Sequence, residues 1–217
     1  MVYIIIDIET IAHPDAHQWL DPVTPDKRLK DPEKVKADIE EKTAARDAML
    51  ALDPDTNQIV ALGYYVVNQS GDPFCCVMKD EFEEREHLKA FGALYQALDK
   101  RQEVRLVTYN GMHFDLPTML RRASLLEADF PDIDIDKYRS PHAKYDVMWR
   151  LTFKGLLKMK SLKFYVKRYN LPLLDRVNGK EIAQLVKDDN WDAVEAHCLS
   201  DVGLTHALAN RLGMLTV

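Results

Sequence analysis

Short apolar runs alternate with charged stretches along the chain, and the spacing of the apolar positions predicts the elements. Residues 2–8 are an apolar, β-branched run interrupted by Asp7 alone, the pattern of a central strand covered on both faces. Residues 12–31, with Pro14, Pro22 and Pro25 among many aspartates, read as an irregular excursion. A charged, alanine-containing helix is predicted over 32–52, with Pro32 in its first turn and Asp53-Pro54 as its stop. Two β-rich runs, 58–67 and 74–78, flank the turn-forming residues 68–73 and predict a hairpin. Leu88, Phe91, Leu94, Tyr95 and Leu98 recur at three- and four-residue steps, so 83–100 is an amphipathic helix. A strand over 104–109 precedes a helix that runs from Asp115 to about residue 123. Residues 145–149 begin with a short strand, short helices fill 150–187, and a last helix runs from 191 to about 212. A hairpin followed by alternating strands and helices describes an α/β fold with mixed strand order. The expectation is a single domain over 1–217, with a helical insertion at about 12–52 between two strands.

Composition narrows the class. A chain of 217 residues suffices for one full core. Its 47% apolar and 29% charged residues fit a soluble globular protein. No apolar run approaches the roughly 20 residues of a membrane span, and residues 1–6 read as a core strand and not a signal peptide, so a cytoplasmic location without membrane contact is expected. Cys75, Cys76 and Cys198 form no Cys-x-x-Cys pair and are odd in number, which argues against a cysteine zinc site or a disulfide framework. A net charge of −6 argues against coating nucleic acid through bulk charge. It leaves room for an enzyme that meets phosphates through bound cations.

Three segments carry candidate chemistry. Asp7 and Glu9 lie two apart at the end of the first strand, hence on one face and within reach of one cation. The same Asp-x-Glu spacing recurs at Asp31/Glu33 and Asp38/Glu40 in the charged excursion, where a solvated helix face explains it. Taken alone, the first pair reads equally as a cation site or as a strand end entering solvent. Asp115 follows an Asn110-Gly111 turn and opens a helix with Pro117 in its first turn, so an N-cap is the simpler reading of that segment alone. In the last helix, Val194, Cys198, Asp201, Thr205, Leu208 and Leu212 share one stripe, and its one acid needs a partner. His197 or a basic residue from elsewhere would serve; a metal would answer for Asp201 and the strand acids together.

In this order, Asp7-Ile8-Glu9-Thr10, Asn110-Gly111-x-x-Phe114-Asp115 and Cys198-x-x-Asp201 resemble the three exonuclease motifs of the DEDD class of 3′→5′ exonucleases. The most similar form is the proofreading exonuclease domain of family B DNA polymerases, above all its stand-alone bacterial relatives. The resemblance covers most of the chain and is weakest over residues 12–50. It implies a ribonuclease H-like mixed β-sheet flanked by helices. It further implies two Mg²⁺ or Mn²⁺ ions held by Asp7, Glu9, Asp115 and Asp201, and stepwise release of nucleoside 5′-monophosphates. Thr10 through its backbone, Asn110 and Phe114 become contacts to the terminal nucleotide, although core packing accounts equally well for Phe114. One position departs from the pattern. Family B exonucleases carry a tyrosine four residues before the last aspartate, where this chain has His197; the histidine branch places its histidine one residue earlier, at Ala196 here. A histidine, with an ordinary pKa of about 6.5, suits the role of orienting or deprotonating the attacking water.

Residues 150–168 contain six lysines or arginines beyond Arg150, among them Lys158 and Lys163, interleaved with aromatics and without an acid. In an acidic chain this asymmetry reads as a guide for a single-stranded backbone, or else as a solvated helix pair. Single-stranded DNA is the favoured partner. The alternatives are an RNA or oligoribonucleotide exonuclease, a non-catalytic module binding nucleic-acid ends, and an interaction protein docking through its charged excursion.

Overall fold

The computed structural model describes residues 1–67, 69, 71–172 and 177–215. Its sheet contains β1 (Val2–Ala12), β2 (Asn57–Val66), β3 (Phe74–Val77) and β4 (Val104–Val107), in the order β3-β2-β1-β4. β2 runs antiparallel to β1 and β3, and β4 runs parallel to β1. The helices are α1 (Pro32–Asp47), α2 (Glu81–Asp99), α3 (Asp115–Leu125), α4 (Val147–Leu151), α5 (Leu162–Arg168), α6 (Ile182–Lys187) and α7 (Trp191–Arg211).

β1 is buried on both faces, and its two-residue period sorts them. Ile4, Ile6 and Ile8 pack with Leu88 and Phe91 of α2 and with Leu116 and Met119 of α3. Tyr3 and Ile5 pack on the other side with Leu162 and Val166 of α5 and Val202 and Leu208 of α7. Asp7 and Glu9 continue this second face, so the strand that builds the core also carries two acids beneath α7. At Glu9 the register with β2 shifts: Glu9 faces Ala61 and Thr10 faces Ile59, leaving Val60 as the extra residue of a bulge.

Several elements differ from their sequence expectation. The helix expected over 32–52 ends at Asp47, and Leu50–Leu52 form a separate 3-10 turn whose Leu50 is buried. α2 starts two residues early because the Asp80 carboxylate accepts the Glu83 N–H at 2.9 Å and caps it. The strand expected from residue 104 stops at Val107, and the one expected at 145–149 is a single bridge, Thr108 to Asp146, before α4 begins. Of the predicted turn at 68–73, Asn68 and Ser70 lie outside the described residues.

A buried ion-pair network clamps the layer of α2 and α3 to the sheet. Arg122 of α3, 1% exposed, donates through Nε and Nη2 to Glu84 at 2.8 and 2.7 Å, and through Nη2 to Glu81 at 3.1 Å. Glu84 also accepts the Ile59 N–H, and Glu81 pairs with His13 just beyond β1. By contrast α1 buries none of its residues. Polar bonds from Lys42 to the Thr24 carbonyl, Arg46 to the Asp21 carbonyl and the Asp26 N–H to Asp38 hold it to its own excursion.

Candidate active site

A cleft of about 390 Å³ opens beside the second half of β1. Asp7 and Glu9 lie within this strand and not at its end, where they were expected; β1 runs on to Ala12, and it is the parallel pairing with β4 that stops at Ile5. Asp7 and Glu9 reach it from β1, Phe114 and Asp115 from the start of α3, His197 and Asp201 from α7, and Lys163 from α5. These are seven of the residues singled out in the sequence, gathered from four elements.

The approach of α7 depends on Gly63, which lies opposite Asp7 in β2. A Cβ at this position would stand 2.8 Å from Cys198 Sγ and 3.0 Å from Val202 Cγ2. Its absence lets the helix sit close enough for the Cys198 thiol to point at the Asp7 carbonyl at 3.6 Å. That contact then presents His197, next to Cys198, and Asp201, about one turn further along α7, to the strand acids. His197 Nε2 lies 3.4 Å from Glu9 Oε1. The ligand-capable atoms of Glu9, His197 and Asp201 all fall within 4.8 Å of one another.

The acids strain against one another. Burial, then the charges of Glu9, Asp115 and Asp201, push the Asp7 carboxyl well above the usual range. Burial and the neighbouring Asp201 and Asp115 do the same to Glu9, with Lys163 opposing. Burial raises Asp115 to about 7 despite backbone hydrogen bonds at Asp115 and Ile8, with Asp146 and Asp201 adding to the rise. Grouped buried carboxylates that each raise the others are a poor arrangement for a protein alone and a good one for a hard divalent cation. All-oxygen donors joined by one imidazole also fit Mg²⁺ or Mn²⁺ better than a soft metal. Asp7, Glu9, Asp115 and Asp201 would hold such ions, and His197 stands within the same group.

Asp115 is the first residue of α3, not its cap. The cap position belongs to Phe114, whose side chain makes no capping bond. The carboxylate is therefore free to turn into the cleft, where it is 4% exposed. Asp146, unnoticed in the sequence, shapes the loop that delivers it. Fully buried, it accepts the N–H groups of Asn110, Met112 and Trp149 at 3.2, 3.1 and 2.9 Å. The signal was its place as N-cap before the short apolar run of α4. Tyr109, Ser161, Asn178 and Gly179 also line the cleft and carried no sequence signal.

Three expected contacts do not line the cleft. Thr10 turns its hydroxyl to the Ala51 carbonyl at 2.6 Å. Asn110 sits at φ 70°, a left-handed position that asparagine tolerates, and its Oδ1 is buried without a hydrogen-bond partner. Lys158 is exposed on the loop before α5.

The family model described as RNase_H_2, of the RNase H superfamily, matches residues 50–213. The chain belongs to the RNase H superfamily. The match starts after the charged excursion, so β1 of this RNase H superfamily protein, with Asp7 and Glu9, lies outside the matched span. Among solved structures, it is similar to the family B DNA polymerase from the hyperthermophilic archaeon Pyrobaculum calidifontis, at a TM-score of 0.61 and 15% identity. The likeness covers 98% of this chain and 24% of the polymerase, so the chain spans about a quarter of that protein's length. At this identity the likeness shows the fold, a mixed sheet flanked by helices. No curated protein matches the chain. Among the described residues, no helix is long and apolar enough to cross a membrane.

Proposed function

We propose that this RNase H superfamily protein is a 3′→5′ exonuclease that removes nucleoside 5′-monophosphates from single-stranded nucleic acid, DNA before RNA, with two Mg²⁺ or Mn²⁺ ions. Membership of the superfamily supports nuclease-type chemistry at the coarser level. The observation that carries the finer reading is the convergence of Asp7, Glu9, Asp115, Asp201 and His197 in one cleft, drawn from three motifs nearly two hundred residues apart. When bound, the ions supply charge stabilisation to an in-line phosphoryl displacement and lower the pKa of the attacking water.

The chain's own groups do the rest. Asp7, Glu9, Asp115 and Asp201 would hold the cations. His197, with Nε2 3.4 Å from Glu9 Oε1, is placed to orient the attacking water or to accept its proton. Phe114 at the edge of the cleft offers a face to the terminal base. Lys163, close enough to Glu9 to lower its pKa, offers a cation to the phosphate backbone. Residues 12–52 form a helical insertion in this single domain; that α1 within them buries none of its residues supports this.

The test uses purified protein with 5′-labelled single-stranded DNA and the matching RNA, each with Mn²⁺, Mg²⁺ or EDTA. A metal-dependent ladder that shortens from the 3′ end, and is absent in Asp7→Ala, is the expected result. No ladder with either metal would overturn the enzymatic reading and leave a module that binds nucleic-acid ends.

A further inference from the structure

On the other flank of α5 lies a groove of about 680 Å³, within the size range of small-ligand sites. Trp149, Phe153, Tyr165 and Tyr169 supply aromatic faces, and Arg150 and Lys154 supply cations. No Asp or Glu appears among its described lining residues. Lys137 extends the basic border, with Nζ 5.8 Å from the Trp149 ring. In a chain of net charge −6, this concentration of positive charge and aromatic surface stands apart.

The backbone beside the groove holds an unusual conformation. Phe153 and Lys154 have φ of 51° and 63°, and Gly155 follows at 87°. Two consecutive non-glycine residues in the left-handed region are costly, and such strain persists where the surroundings enforce it. The turn leaves Phe153 64% and Leu156 84% exposed, which is unfavourable for a surface that stays bare.

We infer that this groove holds the single strand a few nucleotides on the 5′ side of the residue being removed. Bases stack on the aromatic faces while Arg150 and Lys154 meet the phosphates. The inference rests on the exonuclease reading of the acid cleft and gives it a second contact region. α5 joins the two: Ser161, Leu162 and Lys163 line the cleft, and Tyr165 and Tyr169 line the groove. Six residues of helix from Lys163 to Tyr169 rise about 9 Å. At about 3.4 Å per stacked nucleotide that is roughly three nucleotides. Strands of about four nucleotides or more therefore reach the groove, and shorter ones do not.

Fluorescence anisotropy of 5′-labelled oligothymidylates with the full chain in EDTA tests this without catalysis. The dodecamer should bind at least about tenfold tighter than the trimer, as stacking of one or two bases would give. Arg150→Glu with Lys154→Glu, both exposed and harmless to the core, should cut that advantage to about twofold and flatten its salt dependence. Phe153→Ala should lower it by roughly fivefold. A dodecamer bound no tighter than a trimer overturns the inference. So does a double variant that keeps the full advantage, which would put the strand elsewhere on the surface. A length advantage without a hydrolysis ladder sinks the exonuclease reading alone; a ladder without a length advantage sinks the groove alone.

Discussion

Asp7 stands among acids that each resist its ionisation, and that conflict is measurable. Burial and like charges raise the folded-state pKa of Asp7, Glu9 and Asp115 above their unfolded values. A raised carboxyl favours the folded state while it is protonated in both states, and this contribution is lost as pH rises through the folded value. For Asp115 the window runs from the ordinary aspartate value of 3.8 to about 7. Differential scanning fluorimetry in EDTA should therefore show the melting temperature falling from pH 4 towards pH 7 on this account. Mg²⁺ or Mn²⁺ at neutral pH should recover it by binding the folded state alone. Asp7→Asn should melt a few degrees above the parent in EDTA at neutral pH and gain nothing further from metal. A metal-free melting temperature that rises across this window would refute the electrostatic picture.

At the scale of elements, the geometry of the site is set by how closely α7 can approach β2, and Gly63 sets that distance. Gly63→Ala puts a methyl group against Cys198 Sγ and Val202, so α7 must shift or Cys198 must turn away. Overpacking of this kind costs roughly 1–3 kcal/mol, and a shift of the ligand set by an ångström can lower turnover by about a hundredfold. Melting temperature and kcat should both fall, and Cys198→Ala in the same chain should restore part of each. A fall in stability alone would mean that the helix does not aim the acids. The elements differ in how far the sequence discloses them. β1 is legible as a strand because residues 2–8 are apolar but for Asp7, yet burial on both faces hides which helix covers the acids until α7 is in place. Asp201 is legible as an acid in a buried stripe. Asp146 is not, because a run as short as 145–149 cannot separate strand from helix by periodicity. Asn178 and Ser161 reach the cleft only through tertiary folding, and Lys158 misses it because its loop follows the groove instead.

At the scale of the whole molecule, the middle of the excursion between β1 and β2 lies outside the core. α1 buries nothing, and His17 and Asp47 at the two ends of the excursion come within 3.9 Å of each other. Replacing residues 20–46 with a short flexible linker should therefore change the melting temperature by only a few degrees, since loop length alone costs about 0.6 kcal/mol per doubling. Activity should persist with it. Loss of folding would show instead that the excursion is part of the core. The site itself draws on both ends of the sequence: the Cys198 contact with Asp7 joins positions 191 apart. Such a contact waits until almost every intervening residue has been made and ordered. A chain that has completed the sheet and α3 but not α7 holds three of the four acids proposed to bind the ions and lacks both Asp201 and His197, so on the proposed reading it cannot yet cut nearby transcripts or DNA.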